Sequence, residues 1–145
     1  MIAIGADHGG YVLKEELIKI FEGEIEFKDF GTNSIEAVNY PEIAFKVAES
    51  VASGEYECGI LICKSGIGMT ISANKVKNIR CANISTIKAA RLCKEHNDAN
   101  IIALAADELT VDAAKELIYM WLSSEFLGDR HKARVDLITD YENRN

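Results

Sequence analysis

Short apolar runs alternate along this chain with segments in which apolar residues recur every three or four positions. The helical segments include YVLKEELIKIFE, which has an apolar stripe of Val12, Leu13, Leu17, Ile18 and Phe21, and YPEIAFKVAESVAS, which has a proline in its first turn. Such alternation is typical of a parallel sheet with helices on its faces. Five runs have the length and composition of buried strands: MIAIGA, EIEFKDF, CGILIC, RCANI and NIIALA.

Nothing in the sequence divides the chain. It has 145 residues and a single proline, Pro41, and it lacks low-complexity segments and internal repeats. Thr110 is placed to cap one further helix, and the mixed polar and apolar tail from His131 predicts a final helix that packs away from the ordinary crossovers. We therefore expect one α/β domain over residues 1–145, with a doubly wound, five-stranded parallel sheet in three layers and a C-terminal helix.

The composition of the chain limits its cellular compartment and its partners. Apolar residues make up 48% of the chain, but none of the runs approaches the ~20 residues of a membrane span, so no membrane is expected. The start has no basic region followed by a long apolar segment, which favours a cytoplasmic protein. The four cysteines form no CxxC pair and are interpreted as free thiols. The formal charge of −7 argues against nucleic acid as a partner and requires a local cationic pocket for any anionic ligand.

Ligands of doubly wound sheets collect at the carboxyl ends of the strands. Asp7 and His8 follow the first predicted strand, and Cys63 follows the third with a glycine-spaced turn up to Gly68. The His96–Asn97 segment precedes the fifth strand, and we leave open which end of the sheet it faces. For Asp7 a helix cap, and for His8 a solvated loop position, are the structural alternatives.

The stretch GILICKSGIGMTISANK contains the candidate reactive residues, but it does not match several known motifs. A Walker A loop needs glycine at positions 58 and 63, where both residues are cysteine, and a dinucleotide fingerprint needs a third glycine where Ile71 stands. A cysteine phosphatase needs an arginine six residues after the thiol, where this chain has Met69. Cys58 and Cys63 are an odd number of positions apart, so on one strand they would point to opposite faces. No metal and no cofactor are therefore expected.

A thiol at the start of a helix with a glycine-rich first turn remains. The N–H groups of Gly66, Ile67 and Gly68 could bind negative charge beside Cys63. A base next to N–H donors suits removal of a proton adjacent to a carbonyl, with the donors stabilising an enediolate oxygen. A buried strand-end cysteine followed by a tight packing turn is the alternative, and the residues alone leave it open.

Six stretches then show a resemblance over nearly the whole chain: GADHGGYVLKEEL, DFGT, NYPEIAFKVAESVASGE, GILICKSGIGMTISANK, KEHNDANIIALA and GDRHKARVDLI. In order and spacing they resemble the ribose-5-phosphate isomerase B and galactose-6-phosphate isomerase family. The resemblance implies a Rossmann-like domain and aldose–ketose isomerisation of a sugar phosphate through a cis-enediolate, without a cofactor. It also implies a homodimer or a dimer of dimers in which each active site draws on two subunits.

The resemblance assigns roles by position. Cys63 matches the thiol base, Ser65 the hydroxyl residue beside it, and His96 the histidine that assists ring opening together with Asp7. Arg130 and Arg134, four residues apart and on one face if helical, match phosphate-binding positions. The remaining substrate-binding positions are His8 for phosphate, Tyr40 near the sugar, Asn97, and the enediolate loop of Gly66, Ile67 and Gly68.

Two positions depart from the family pattern. Lys64 stands where members commonly carry glycine, and Asp107 stands where ribose-5-phosphate isomerases usually carry an arginine that contacts phosphate. Both are expected to bear on specificity. Ribose 5-phosphate is the default substrate, and a hexose 6-phosphate, such as galactose or allose 6-phosphate, is the alternative. A sugar-phosphate-binding subunit that needs a paralogous partner chain is a third reading.

Overall fold

A computed structural model describes residues 1–144. The sheet has five strands in the spatial order β2-β1-β3-β5-β4, and every neighbouring pair is parallel. This confirms the predicted five-stranded, doubly wound α/β fold. The chain reverses its direction of winding beside β1 and β3, so a crevice is expected at their carboxyl ends. The strands are β1 (Ile2–Ala6), β2 (Phe27–Asp29), β3 (Gly59–Cys63), β4 (Cys81–Asn83) and β5 (Ile101–Ala105).

Six helices complete the described part of the chain, and five of them cover the two faces of the sheet. The first, fourth and fifth pack on one face, and the second and third pack on the other. This arrangement gives the three predicted layers. The helices are α1 (Tyr11–Ile20), α2 (Tyr40–Ala52), α3 (Ile67–Ala73), α4 (Ile87–Glu95), α5 (Val111–Ser123) and α6 (Arg130–Glu142).

Strand residues alternate between two hydrophobic cores, because successive side chains point to opposite faces. Ile60 and Ile62 of β3 lie in the core under α1, α4 and α5, whereas Leu61 and Cys63 lie in the core under α2 and α3. Cys58 packs against the first of these cores, so it and Cys63 do face opposite sides of the sheet. The predicted obstacle to a shared metal site is confirmed.

The helix boundaries follow local sequence signals. Thr110 caps α5 by accepting the N–H of Ala113 at 3.1 Å, as predicted, and Pro41 occupies the first turn of α2. The predicted stripe of α1 is wrong at one position: Leu13 is buried, but Val12 is 56% exposed. A helix against a sheet buries only a narrow stripe, and Val12 lies at its margin.

The C-terminal helix α6 packs at the amino-terminal edge of the sheet. His131 stacks on His96 with ring centroids 4.1 Å apart, and the Glu142 carboxylate accepts the N–H of Asn78 at 3.0 Å. The predicted final helix is confirmed, and it lies beside the loops that precede β4 and β5. Within residues 1–144, no helix is long and apolar enough to cross a membrane.

Candidate active site

Cys63 ends β3 at the carboxyl edge of the sheet. Its sulfur accepts a hydrogen bond from the N–H of Gly66 at 3.1 Å. Gly66 makes this possible because it adopts φ +76°, a left-handed conformation that side chains rarely adopt. An N–H directed at sulfur is the kind of donor that stabilises negative charge there. Cys63 is therefore hydrogen-bonded by the loop as well as packed in the core.

The N–H groups of the loop after Cys63 were all expected to be free for a ligand, but two of them have partners within the loop. The N–H of Gly66 is directed at the thiol, and the N–H of Ile67 is donated to the Ser65 hydroxyl oxygen at 3.2 Å. The N–H of Gly68 lies in the first turn of α3, where no carbonyl of the helix can accept it. Of the three predicted donors, Gly68 is therefore the best placed to meet a developing oxyanion.

The side chain of Asn83, the last residue of β4, contacts this loop. The Asn83 amide nitrogen lies 3.4 Å from the carbonyl of Ser65, and a Cβ built on Gly66 would lie 2.5 Å from the Asn83 amide oxygen. The sequence interpretation missed Asn83. The signal that could have found it is its position at the carboxyl end of a predicted strand, where site residues of such sheets collect.

Asp7 lies just after β1 beside the thiol and is 7% exposed. Its Oδ1 accepts the N–H groups of Gly9 and Gly10 at 2.9 and 3.1 Å, so the carboxylate organises the turn that leads into α1. Asp7 is therefore not the N-cap of α1, which is Gly10 and receives no side-chain cap bond; its carboxylate instead holds the preceding turn. His8 follows, and its Nδ1 accepts the N–H of Val38 at 3.2 Å, which leaves the proton on Nε2.

The residues at this edge enclose a cleft. Tyr40, the first residue of α2, lies on Gly68, since a Cβ built on Gly68 would be 2.5 Å from a ring carbon. The ring forms one wall of the cleft, and the thiol and Asp7 lie in the other. Its volume is about 380 Å³, and its lining consists of Asp7, Tyr40, Cys63, Lys64, Ser65, Ile67, Gly68 and Ile71. We call this group, together with His8 and Gly66, the thiol half-site.

Lys64 belongs to the thiol half-site, and Asp107 lies next to it. The Lys64 side chain is exposed and runs across Gly9, where an added Cβ would lie 2.5 Å from its Cγ. Asp107 is also exposed, follows β5, and donates its N–H to the Lys64 carbonyl at 3.1 Å. Lys64 therefore lines the thiol cleft, whereas Asp107 lines a neighbouring depression together with Gly9 and Thr110.

The other predicted residues form a separate group at the amino-terminal edge. His96 caps the end of α4, Asn97 is exposed beside it, and Arg130 and Arg134 are exposed one turn apart on α6. Within residues 1–144, neither arginine makes a hydrogen bond or ion pair. The two unpaired guanidinium groups provide the local positive charge that the acidic chain requires for an anionic ligand. We call these four residues the cationic half-site.

His131, the first residue of the predicted tail, is buried and stacks on His96 of the cationic half-site. Its Nε2 has no hydrogen-bond partner in the described chain. Burial lowers the pKa of His131, and His96, Arg130 and Arg134 lower it further. His131 is therefore neutral near pH 7. Because its pKa is depressed in the folded chain, its contribution to stability is present above the ordinary histidine pKa and is lost as the pH falls below it.

The two half-sites lie at opposite ends of the sheet. β3 and β5 pair from Gly59↔Ile101 to Cys63↔Ala105, and the loop with His96 precedes Ile101. Five strand residues span ~13 Å, so His96 and the thiol are separated by at least the length of the strands. The chain brings together Asp7, His8, Tyr40 and the Cys63 loop, and separately His96, Asn97 and the two arginines. It does not bring Asp7 to His96.

The other three cysteines differ from Cys63. Burial raises the pKa of Cys58 and of Cys93 to about 11 and that of Cys81 to about 12. These thiols are protonated and inert near neutral pH. Among residues 1–144, no three His, Cys, Asp or Glu side chains are grouped to hold a metal ion.

Comparisons with known proteins agree with this geometry. A family model described as ribose/galactose isomerase matches residues 2–138. The chain is 41% identical to ribose-5-phosphate isomerase B of Escherichia coli, over 99% of this chain and 97% of that protein. It is 35% identical to a D-erythrulose-4-phosphate isomerase of Pectobacterium atrosepticum, over 99% of this chain and 95% of that protein.

A solved structure of ribose-5-phosphate isomerase B from Clostridium thermocellum superimposes with a TM-score of 0.96 at 46% identity, covering 99% of this chain and 97% of that one. An α/β chain with a thiol in a glycine loop at a strand end and a remote arginine pair has the features of a sugar-phosphate isomerase. The chain belongs to the ribose/galactose isomerase family.

Proposed function

We propose that the protein interconverts ribose 5-phosphate and ribulose 5-phosphate with Cys63 as the base. The observation that carries this proposal is the Cys63 sulfur, which accepts the Gly66 N–H at 3.1 Å inside a cleft that Asp7 and Tyr40 also line. A thiolate there removes the proton from C2 of the open-chain aldose. The C–H electron pair forms the C1–C2 double bond, and O1 takes the negative charge of the cis-enediolate.

The remaining residues complete the step. The Gly68 N–H stabilises the enediolate oxygen, and the exposed Ser65 hydroxyl moves a proton between O2 and O1. The Cys63 thiol then returns its proton to C1, which gives the ketose. His96 and Asp7 assist opening of the sugar ring before this step, and Arg130, Arg134 and His8 bind the phosphate.

These roles require two chains. Because the thiol and cationic half-sites lie at opposite ends of one sheet, one subunit supplies the base and its partner supplies His96, Asn97 and the arginines. Exposed apolar side chains on α3 and α6 fit such an interface: Ile67, Ile71, Leu137, Ile138 and Tyr141. A two-fold axis across this surface exchanges the ends of the two chains and completes two equivalent sites.

Replacement of the thiol tests the base. Cys63→Ser keeps the size of the side chain and removes the easily ionised group, so turnover of ribose 5-phosphate should fall by ~10² or more. Formation of ribulose 5-phosphate is followed by NMR, and circular dichroism checks the fold. Cys93→Ser is the matched control, because Cys93 is a buried residue of α4 that faces the other core, away from the cleft. Near-normal turnover in Cys63→Ser would exclude a thiol base.

The substrate itself is tested with a panel of pentose 5-phosphates and hexose 6-phosphates. A hexose 6-phosphate is the second candidate because Lys64 places an ammonium group in the lining of the cleft and Asp107, whose N–H binds the Lys64 carbonyl, brings a carboxylate beside it. Removing the ammonium group in Lys64→Gly should change the order of preference between pentose and hexose phosphates. An unchanged order would leave Lys64 without a role in specificity. Activity that appears only after a paralogous chain is added would favour the binding-subunit reading.

A further inference from the structure

Arg80 lies just before β4 and reaches across the amino-terminal edge to the loop between α4 and β5. Its Nε donates to the carbonyls of Asn97 at 2.9 Å and Asp98 at 3.1 Å, and its Nη2 donates to the Asp98 carbonyl at 3.0 Å. Nη2 also lies 3.4 Å from the Asp98 carboxylate. The Arg80 side chain is 20% exposed, so one largely buried guanidinium holds two consecutive carbonyls.

The two carbonyls that Arg80 binds lie just beyond the end of α4. The last four carbonyls of that helix, from Leu92 to Glu95, already accept main-chain N–H groups, so Arg80 serves the loop that follows the helix. Asp98 also adopts φ +48°, a conformation that is uncommon for residues other than glycine. Lys94 pairs with the other oxygen of the Asp98 carboxylate at 3.0 Å. The guanidinium and the ammonium group therefore fix the turn directly after His96 and Asn97.

Arg80 acts on these two residues only through the main chain. It contacts the carbonyl of Asn97, whose exposed side chain is left to meet a ligand, and His96 is one residue earlier. We propose that Arg80 is a positioning residue that holds the His96–Asn97 segment in the orientation needed for ring opening. The proposal rests on the function proposed above for His96.

The side chain of Arg80 can be changed without breaking its main-chain contacts. Its N–H donates to the Asn100 side-chain oxygen at 2.8 Å, and its carbonyl accepts the N–H of Asn100 at 3.1 Å. The Asn100 amide nitrogen in turn donates to the Asn78 carbonyl at 2.9 Å. Arg80→Gln keeps these bonds and removes the charged clamp. Arg91→Gln is the matched control, since Arg91 only pairs with Glu95 on the exposed side of α4.

Two reactions of one sugar separate ring opening from proton transfer. Ribose 5-phosphate is a furanose and must open, whereas ribulose 5-phosphate is acyclic because its C5 oxygen is esterified. Arg80→Gln should lower kcat/KM for ribose 5-phosphate ~10-fold or more, because a displaced group loses its effective concentration. Exchange of solvent deuterium into C1 of ribulose 5-phosphate should stay within about threefold of wild type. Equal losses in both reactions, or no loss in either, would overturn the proposal.

A second readout does not depend on activity. The chain has three histidines, so their imidazole NMR signals can be assigned individually. Arg80→Gln should shift the signals of His96 and of His131, which stacks on it, and leave His8 unchanged, whereas Arg91→Gln should move none of them. Unshifted signals in Arg80→Gln would refute the positioning role. A wild-type protein that neither isomerises nor exchanges would instead refute the proposed function, and the spectra would still test the clamp.

Discussion

At the scale of single residues, four cysteines of one chain have different surroundings. Cys58, Cys81 and Cys93 are held in apolar surroundings that raise the pKa of each. Cys63 is also buried, at 6% exposure, but its sulfur receives an N–H from the loop that follows. This directed main-chain donor at the carboxyl edge of the sheet is the reason for proposing Cys63 as the reactive thiol.

Alkylation should distinguish these thiols. At pH 8 a thiol with a pKa of about 11 is ionised to roughly one part in 10³, so Cys58, Cys81 and Cys93 should react slowly. Iodoacetamide at pH 8 should first modify Cys63, with loss of activity in step. Reaction at the other three should accelerate as the pH rises towards 11. Mass spectrometry of peptides gives the site, and Cys63→Ser is the control. Modification of half-buried Cys58 ahead of Cys63 would contradict the assignment.

The sequence indicated Cys63 and its loop but not how the loop is used. The glycine spacing predicted free N–H groups, whereas the structure directs the Gly66 N–H at sulfur and the Ile67 N–H at Ser65. That choice depends on the left-handed Gly66 and on Asn83, which comes from another strand. Contacts between residues distant in sequence decide such details, and periodicity carries no information about them.

At the scale of elements, all five strands and the crossover helices were predictable, because the strands are short apolar runs and the helices have apolar residues every three or four positions. The position of β5 between β3 and β4 was not predictable, since the order of strands in the sequence does not fix their order in the sheet. The position of His96 was predictable after all. In a parallel sheet a residue just before a strand lies at the amino-terminal edge, so the segment before β5 had to lie opposite Cys63.

The packing of α1 on the sheet depends on a glycine. A Cβ built on Gly10 would lie 2.5 Å from the Ile62 carbonyl oxygen, which belongs to the backbone of β3 and cannot move aside. Gly10→Ala should therefore lower the free energy of unfolding by ~1–3 kcal/mol. Gly9→Ala is the control, because its added methyl would meet the flexible Lys64 stem instead. Urea unfolding measures both variants, and equal midpoints would contradict the packing argument.

At the scale of the whole molecule, one chain holds the thiol half-site and the cationic half-site at opposite ends of its sheet. The exposed arginines of α6 and the thiol cleft are separated by the length of the sheet, and apolar side chains lie exposed on α3 and α6. In this chain of net charge −7, the unpaired guanidinium groups of Arg130 and Arg134 lie together near His96 and offer positive charge to an anion. Assembly would bring that positive charge to the thiol of a second chain, which neither composition nor periodicity can indicate.

Mixing two inactive variants tests this assembly. Cys63→Ser should inactivate the thiol half-site, and Arg134→Ala should weaken the cationic half-site. If each site uses one half from each chain, a mixed dimer contains one site with two intact halves and one with two altered halves. After random exchange of subunits, half of the dimers are mixed, so about a quarter of all sites should be active.

The measurement is turnover of ribose 5-phosphate after the two variants are unfolded and refolded together, compared with each variant refolded alone. Native mass spectrometry of differently tagged chains shows that mixed dimers form. The second control is a mixture of Cys63→Ser with a chain that carries both substitutions, which has no intact thiol half-site and should stay inactive. Mixed dimers without recovered turnover would mean that Cys63 and Arg134 serve one site from the same chain. Because the length of β3 separates their half-sites, that result would require α6 to leave the edge on which His131 stacks against His96.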